Sequence, residues 1–294
     1  MTLADVRFHS PQSLEEALEL LNCLEGARVM AGGTDLLVDV KQGLTETKDI
    51  VSLQGVDELK GIAKEGNRVR IGALVTLREL ASDSLIARHF PVFADVARSM
   101  ASFQIRSAAT VGGNVSSAVP SADLPPSLIA ADSSVGLRCS ESIREVPLLE
   151  FFTGPRETVC RSGELLTSVL VPLPPPNTGV SYQKFALREA SALAVAAAAC
   201  RITLEKGAIK KATIVLGAVA PTPVLAIEAS EFLLDKKPSG ELFEKAALIA
   251  KEEAKPISDI RGSAWHRREL VRVLTRRALT EALKRAQRKP GVQE

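Results

Sequence analysis

The stretch RVMAGGTDLLVDV, residues 28–40, passes from a strand pattern to a helix pattern through a pair of glycines, Gly32 and Gly33. We expect Thr34 to be the N-cap of that helix. Backbone N–H groups stay free at such a corner, and a phosphate or pyrophosphate can approach them because glycine has no Cβ. A tight structural turn without a ligand is nevertheless the commoner explanation of a single glycine pair.

Two well-known nucleotide-binding patterns are absent from this corner. A Rossmann fingerprint needs G-x-G-x-x-G with an acidic residue about 20 positions further on. Here the order A-G-G-T-D has no third glycine. A Walker A loop needs a G-K-S/T that does not follow. Any nucleotide bound at this corner is therefore held by a different arrangement.

A second glycine pair lies in RSAATVGGNVSSAVPSADLPP, residues 106–126. Gly112, Gly113 and Asn114 stand among small polar residues, and Asp123 follows shortly after them. We expect a loop whose backbone contacts a ligand, with the Asn amide at phosphate oxygens and the carboxylate at sugar hydroxyls. A flexible surface loop is less favoured, because core-like residues flank the segment on both sides.

Strand and helix patterns surround these two corners. A helix is predicted over 13–24 with Ser13 as its N-cap. The other elements predicted in this half are strands over 27–31, 49–53, 134–139 and 165–171, a hairpin over 59–77 that turns at 65–67, helices over 77–100 interrupted at Pro91, and a helix over 124–131.

The segment VPLPPPNTG, residues 171–179, is the clearest boundary, since its four prolines favour an extended connector. The elements predicted beyond it are strands over 193–204 and 212–219 and helices over 239–254 and 263–286. The sequence therefore predicts two α+β parts, of which the second is the smaller.

Composition and charge exclude several classes of function. The chain has 294 residues, 46% of them hydrophobic and 24% charged, and its net charge of +2 argues against a general nucleic-acid binder. The longest apolar run, residues 192–200, is far too short for a membrane span. No basic segment leads into an apolar one at the N-terminus, so we expect no signal peptide and a cytoplasmic protein.

Metal chemistry within this chain is not expected. The four cysteines are scattered without a C-x-x-C pair, which is typical of isolated thiols in a reducing compartment. The three histidines are also far apart and form no H-E-x-x-H motif. We therefore predict no metal ligands here.

The last predicted helix is rich in arginine. Five arginines have helix-compatible spacing: Arg267, Arg268, Arg272, Arg276 and Arg277. A helix that binds nucleic acid or a membrane surface is one interpretation. The pattern favours a solvated, partner-facing helix whose inward stripe is Leu270, Val273, Leu274 and Leu279.

The two glycine segments together resemble a known family. AGGTDLL (31–37), ATVGGN (109–114) and PSADLPP (120–126) are similar to the FAD-binding middle subunit of the molybdenum hydroxylases, which include carbon monoxide dehydrogenase and the xanthine dehydrogenases. The resemblance continues in VSYQKFALREASALA (180–194) and DIRGSAWHRRELVRVLTRRAL (259–279). It therefore covers nearly the whole chain.

The resemblance implies an α+β fold in two parts. The first is a two-part FAD-binding domain of the PCMH/vanillyl-alcohol-oxidase type over residues 1–175, with its subdomains split near residue 55. A smaller α+β C-terminal domain of the carbon monoxide dehydrogenase flavoprotein type follows over 178–286, and residues 287–294 form a tail.

The resemblance also implies which residues contact FAD. They are Val29, Met30, Ala31, Gly32, Gly33, Thr34, Asp35 and Leu36 around the pyrophosphate, Thr110, Val111, Gly112, Gly113 and Asn114 in a second phosphate-side loop, and Met100, Asp123, Leu166 and Lys184 elsewhere. The resemblance implies that Asp123 contacts the ribityl or ribose hydroxyls. It also implies that Leu166 packs near the flavin ring and that Lys184 donates a hydrogen bond toward the ring. A cation beside the ring stabilises the negative charge of the reduced flavin.

The implied activity is electron transfer within a heterotrimeric molybdenum dehydrogenase or hydroxylase. A large partner subunit holds molybdopterin, a small one holds [2Fe–2S] clusters, and the assembly is a dimer of heterotrimers. FAD in this chain, bound non-covalently, passes the electrons to NAD⁺, a quinone, a ferredoxin-like carrier or oxygen. Two alternatives stay open: a stand-alone FAD-dependent reductase of the same fold, and a flavin-binding module without turnover.

Overall fold

The computed structural model describes residues 6–188 and 192–288. The first elements in chain order are β1 (Arg7–His9), α1 (Leu14–Cys23), β2 (Arg28–Met30), α2 (Leu36–Lys41) and β3 (Asp49–Ser52). The three strands form a parallel sheet in the order β1-β3-β2. β3 is buried along its whole length, as expected for the central strand of a parallel sheet.

A larger antiparallel sheet follows, with most of its helices inserted between two strands. The elements are β4 (Ile62–Glu65), β5 (Arg68–Gly72), α3 (Leu77–Ser82), α4 (Ser84–His89), α5 (Pro91–Ser99), α6 (Phe103–Ala108), α7 (Val111–Ser116), α8 (Leu124–Ala130), β6 (Ser134–Arg138), β7 (Ile143–Pro147), α9 (Leu148–Phe151), β8 (Phe152–Gly154), β9 (Glu157–Thr158) and β10 (Leu165–Pro172). The sheet order is β4-β5-β10-β6-β7, and β8 pairs with β9 as a separate hairpin. Apolar residues of this sheet and its helices form the largest core.

The last third of the described chain is a four-stranded antiparallel sheet covered by helices. Its elements are β11 (Thr178–Phe185), β12 (Ala196–Glu205), β13 (Ala208–Gly217), β14 (Val224–Leu225), α10 (Ile227–Phe232), α11 (Gly240–Glu253) and α12 (Ala264–Gln287). The strand order is β11-β12-β13-β14. Within the described residues, no helix is both long and apolar enough to cross a membrane.

Strand β12 joins the two parts of the molecule because both of its faces are buried. Ala196, Ala198 and Cys200 point into the core formed with α11 and α12. Ala199, on the opposite face, belongs to the large core shared with the antiparallel sheet. The alternating alanines therefore let helices approach the sheet closely from both sides.

The predicted helical stretch over 77–100 contains two interruptions, and only the one at Pro91 was expected. The second lies at Asp83, whose side-chain Oδ1 accepts a hydrogen bond from Ile86 N at 3.0 Å and caps α4. Pro91 is the first residue of α5, where a missing N–H costs nothing. The predicted strands 27–31, 49–53, 134–139 and 165–171 and the predicted helices 13–24 and 124–131 are confirmed within one to two residues at their ends.

Several strands were not predicted, and β11 is the longest of them. Its face toward α12 carries small residues: a Cβ at Gly179 would lie 2.1 Å from the Ala282 carbonyl oxygen. On the same face Ser181 Oγ donates to the carbonyl oxygen of Ala278 at 2.7 Å. Small polar residues give no hydrophobic periodicity, which is why the sequence pattern does not reveal this strand.

The arginine-rich helix α12 corrects one expectation. Arg267 is not on a solvated face: it is 3% exposed, and its guanidinium donates to the carbonyl oxygens of Val195 and Ala218. It also pairs with Asp259 at 2.6 Å, and this carboxylate compensates the buried positive charge. Arg276 and Arg277 are exposed, as expected.

Candidate functional site

The first glycine corner lies between β2 and α2. Gly33 has φ +70°, a left-handed conformation that favours glycine. Among the described residues, no hydrogen bond is made by the backbone N–H groups of Gly32, Gly33 or Thr34. These N–H groups are available to a ligand, and backbone N–H groups in folded proteins are nearly always hydrogen-bonded.

The prediction that Thr34 is the N-cap of α2 is wrong. Leu36 is the first helical residue, so Asp35 occupies the cap position, and its side chain makes no capping bond. The turn takes one residue more than the sequence pattern indicated, since the first helix-type hydrogen bond runs from Leu37 N to the Gly33 carbonyl oxygen.

Asp35 stands beside other charged groups in this corner. Desolvation and the nearby Asp39 raise the pKa of Asp35 above its ordinary value, while Arg156 and Ser117 oppose the rise. Arg156, from the β8–β9 hairpin, donates to Asp39 Oδ2 at 2.5 Å. This ion pair ties the small parallel sheet to the larger antiparallel part.

The second glycine pair is not the predicted loop, because Gly112 and Gly113 lie in the first turn of helix α7. Thr110 caps that helix, and its Oγ1 accepts a hydrogen bond from Gly113 N at 3.0 Å. Asn114 N donates to the Thr110 carbonyl oxygen, and Gly112 N donates to the Ala73 carbonyl oxygen at 2.9 Å. These N–H groups are therefore already used, and contact with a ligand here falls to side chains.

The side chain of Asn114 lacks a hydrogen-bond partner for its oxygen in the part of the chain that the structure describes. Its Oδ1 is buried and has no hydrogen-bond partner among the described residues. Buried side-chain polar atoms are nearly always hydrogen-bonded, so an unpaired one indicates a missing partner. A ligand that carries hydroxyl or amide donors fits this position.

The two glycine segments meet in space. A Cβ placed on Gly32 would lie 1.8 Å from the carbonyl oxygen of Ala108 and 3.1 Å from Cα of Ala109. Glycine is required there because the chain leading into Thr110 crosses directly over the corner. The unbonded N–H groups of the first corner thus stand beside the segment that carries Asn114.

A third group of predicted residues is joined by hydrogen bonds between the two parts of the fold. Lys184 Nζ, on β11, donates to Asp123 Oδ2 at 2.7 Å and to the Ser99 carbonyl oxygen at 3.2 Å. Tyr182, on the same strand, donates its hydroxyl to Asp123 Oδ1 at 2.6 Å. Asp123 is 6% exposed, so its charge is balanced almost entirely by these partners.

Sequence reasoning did not include Tyr182 among the site residues. Residues two apart on a strand share a face, so Tyr182 and Lys184 both reach Asp123, but this relation could not be used because strand β11 was not predicted. Met100, which directly follows Ser99, and Leu166 are both buried in the large core at 7% and 6% exposure. Val111 is fully buried as well.

A pH titration tests the hydrogen bond from Tyr182. Desolvation and the negative charge of Asp123 raise the pKa of Tyr182 well above its ordinary value. We expect the phenol, from the chain's single tyrosine, to stay protonated above pH 10 for as long as the protein is folded. The phenol ionises at a lower pH in the unfolded chain than in the folded one. The free energy of unfolding therefore falls as the pH rises above the ordinary tyrosine pKa.

The tyrosinate ultraviolet absorbance of the folded chain measures this directly. In the Asp123→Asn variant the negative charge is gone, and the phenol should ionise at a lower pH than in the parent. Ionisation of the folded parent at the ordinary tyrosine pKa would contradict the hydrogen bond.

Known proteins resemble this chain along nearly all of its length. The family described as the FAD binding domain in molybdopterin dehydrogenase matches residues 4–174, and the one described as the CO dehydrogenase flavoprotein C-terminal domain matches residues 181–282. The carbon monoxide dehydrogenase medium chain of Afipia carboxidovorans is 34% identical over 95% of this chain and 97% of its own length. The xanthine dehydrogenase FAD-binding subunit of Escherichia coli O157:H7 is 28% identical over 94% of this chain and 95% of its own length.

A solved structure gives the same result for the fold. Reconstituted CO dehydrogenase from Oligotropha carboxidovorans contains a chain that matches with a TM-score of 0.93 and 33% identity, over 97% of this chain and 100% of that one. The fold and the two family matches define a flavoprotein with an FAD-binding domain and a smaller C-terminal domain. The chain belongs to the family of FAD-binding subunits of the molybdopterin dehydrogenases, and it is therefore an oxidoreductase subunit. The predicted family, fold class and cofactor are confirmed.

Proposed function

We propose that this chain receives electrons on FAD from the [2Fe–2S] clusters of a small partner subunit and passes them to an external acceptor. A large partner subunit would hold molybdopterin and oxidise the substrate, and the assembly would be a dimer of heterotrimers in the cytoplasm. The printed names "medium chain" and "FAD-binding subunit" of the relatives support a place in a larger complex. Family membership favours this role over a stand-alone reductase or a module without turnover.

One observation carries the proposal: unbonded backbone N–H groups at Gly32, Gly33 and Thr34 lie beside the segment that holds the unpaired Asn114 Oδ1. A pyrophosphate accepts hydrogen bonds from free N–H groups, and sugar hydroxyls donate to amide oxygens. The residues present therefore fit FAD. The wider set of contact residues predicted from the sequence remains part of this proposal.

FAD supplies the electron chemistry when bound, because its ring system accepts and releases electrons. This chain's residues bind and orient the cofactor. Lys184 would contribute positive charge near the ring and Asp123 would accept hydrogen bonds from hydroxyl groups. We assign no acid or base of this chain to the oxidation of the substrate.

We also propose that residues 1–175 form the FAD-binding domain, with its two subdomains divided near residue 55, and that 178–286 form the C-terminal domain. The two family matches, over 4–174 and 181–282, are compatible with this division. The tail proposed over 287–294 falls almost wholly outside the described residues.

The first experiment is the visible absorption spectrum of the purified chain before and after FAD is added. Oxidised-flavin absorption that stays with the protein through gel filtration supports the cofactor assignment. Co-purification with molybdopterin-containing and iron–sulfur subunits then tests the partners. A chain that remains colourless, alone and with those partners, would contradict the proposal.

A glycine substitution with little effect on folding tests the second segment. A Cβ on Gly113 would meet only Thr110 Oγ1, at 2.9 Å, so Gly113→Ala should fold. We expect its affinity for FAD to fall by about tenfold or more, because the methyl group displaces Thr110 Oγ1, which caps the helix that carries Asn114. Flavin fluorescence titration measures the change.

Gly240→Ala is the matched control. Gly240 also lies in the first turn of a helix, and a Cβ there meets nothing within 4 Å. The affinity for FAD should match the parent. Equal affinities in Gly113→Ala and Gly240→Ala would remove α7 from the proposed site.

A further inference from the structure

Tyr182 connects the C-terminal part of the chain to the proposed flavin site. Its hydroxyl donates to Asp123 Oδ1 at 2.6 Å, and its ring packs against the large core. The same strand supplies Lys184, which holds the other carboxylate oxygen at 2.7 Å. Asp123 is thus fixed from two sides by a single strand of the C-terminal sheet.

The geometry of β11 explains why these two side chains act together. Residues 182 and 184 point to the same face of the strand, while Ser181 points to the other face and bonds the Ala278 carbonyl oxygen in α12. One face of β11 therefore contacts Asp123, and the opposite face packs against α12.

The hydrogen bonds leave Asp123 able to bind a ligand. A carboxylate has about four acceptor positions on its two oxygens, and Tyr182 and Lys184 occupy one on each. The remaining positions are held in a fixed direction, since neither oxygen can rotate without losing a short hydrogen bond. A carboxylate so fixed orders the hydroxyl groups that it accepts from.

We propose that Tyr182 is a positioning residue for FAD: it orients Asp123 and keeps Lys184 in its ion pair, and so the C-terminal sheet contributes to flavin affinity and to the flavin reduction potential. This inference rests on the proposed function, in which Asp123 and Lys184 lie at the cofactor. Tyr182 itself acts through Asp123 and need not touch FAD.

Tyr182→Phe tests the inference, and Ser181→Ala is its control. Each change removes one hydroxyl hydrogen bond from β11, but only the first hydrogen bond involves Asp123. We expect Tyr182→Phe in the full chain to bind FAD about tenfold more weakly, since hydrogen bonds to charged groups are the stronger ones. Its bound flavin should have a more negative reduction potential, because Asp123 loses a donor that offsets its charge.

Ser181→Ala should lose somewhat less thermal stability than Tyr182→Phe, because its acceptor is a neutral carbonyl, and should keep the parental affinity and potential. If Tyr182→Phe shows the same affinity and potential as Ser181→Ala, Tyr182 is only structural and the inference is wrong. If the parent chain does not bind FAD, the proposed function itself is wrong, whatever the result for Tyr182→Phe.

A measurement on the unsubstituted chain covers the case in which Tyr182→Phe does not fold. Because the chain has one tyrosine, a carbon-13 label at the tyrosine Cζ gives a single magnetic resonance signal from Tyr182. Adding FAD to the full chain should shift that signal through Asp123. A signal that does not move while FAD binds would overturn the inference.

Discussion

In the Asp123→Ala variant we expect the chain to lose about 3 kcal/mol of its free energy of unfolding and to lose FAD. Removing one partner of a buried ion pair costs about 3–5 kcal/mol, because the other charge stays buried without compensation. Here the Lys184 side chain, only 14% exposed, would keep a single hydrogen bond to the Ser99 carbonyl oxygen. Tyr182 would lose its acceptor at the same time. Urea unfolding of the FAD-free chain measures the loss.

Asp57→Ala provides the matched control for this change. Asp57 also pairs with a lysine, Lys60, but its side chain is 88% exposed. Exposed pairs of this kind contribute little, so the urea midpoint and the FAD affinity should stay at the parental values. A urea midpoint for Asp123→Ala equal to that of Asp57→Ala would show that the buried pair does not hold the two parts together.

The second large effect is expected for Gly33→Val, which should abolish FAD retention while the chain still folds. Gly33 has φ +70°, and a β-branched residue there costs about 1–3 kcal/mol of strain. The nearest atoms to an added Cβ are the Leu37 Cδ1 at 3.0 Å and the Met30 Sδ at 3.2 Å, both ends of flexible side chains. Those side chains can move aside, but the strain at positive φ is relieved only by turning the backbone, and this redirects the N–H groups offered to the pyrophosphate. Flavin absorbance after gel filtration measures retention.

Gly207→Val separates strain from ligand binding. Gly207 also has positive φ, at +82°, and a Cβ there has open space. It lies in the β12–β13 turn, at the end of the sheet opposite the pairing of Phe185 with Ala196 and hence away from Lys184. It should lose comparable stability yet keep its flavin. Retained flavin in Gly33→Val would refute the assignment of the corner to the pyrophosphate.

The spacing of apolar residues and the helix-capping residues predicted most of the helices and strands, because both signals are local in the sequence. The helix over Leu14–Cys23 shows this: Ser13 Oγ accepts from Glu16 N, as its position before an apolar stripe indicated. The proline-rich connector also lies where the composition placed it, between β10 and β11. Strand β11 was not predicted because its interface with α12 consists of glycine and serine. Small residues of this kind give no hydrophobic periodicity in the sequence.

The sequence suggested residues for the candidate site but not the contacts among them. Glycine pairs indicated a close backbone approach, and Gly32 does lie under the Ala108 carbonyl oxygen. The hydrogen bond from Gly112 N to the Ala73 carbonyl oxygen depends on tertiary packing, which the sequence does not show. The bond from Gly113 N to Thr110 Oγ1 is a local cap, but the helix that it begins was not predicted. The pairing of Asp123 with Lys184 could not be predicted either, because the two residues lie 61 positions apart and meet only through tertiary packing.

The long separation between Asp123 and Lys184 bears on how the cofactor enters a newly made chain. Ribosomes add roughly 5–20 residues per second, so the 61 residues between the two positions take on the order of several seconds to emerge. Both glycine corners are outside the ribosome before the strand that holds Asp123 has been made. The proposed binding site is therefore complete only after β11 has emerged, and full-affinity capture of flavin follows the synthesis of that strand rather than of the two glycine corners.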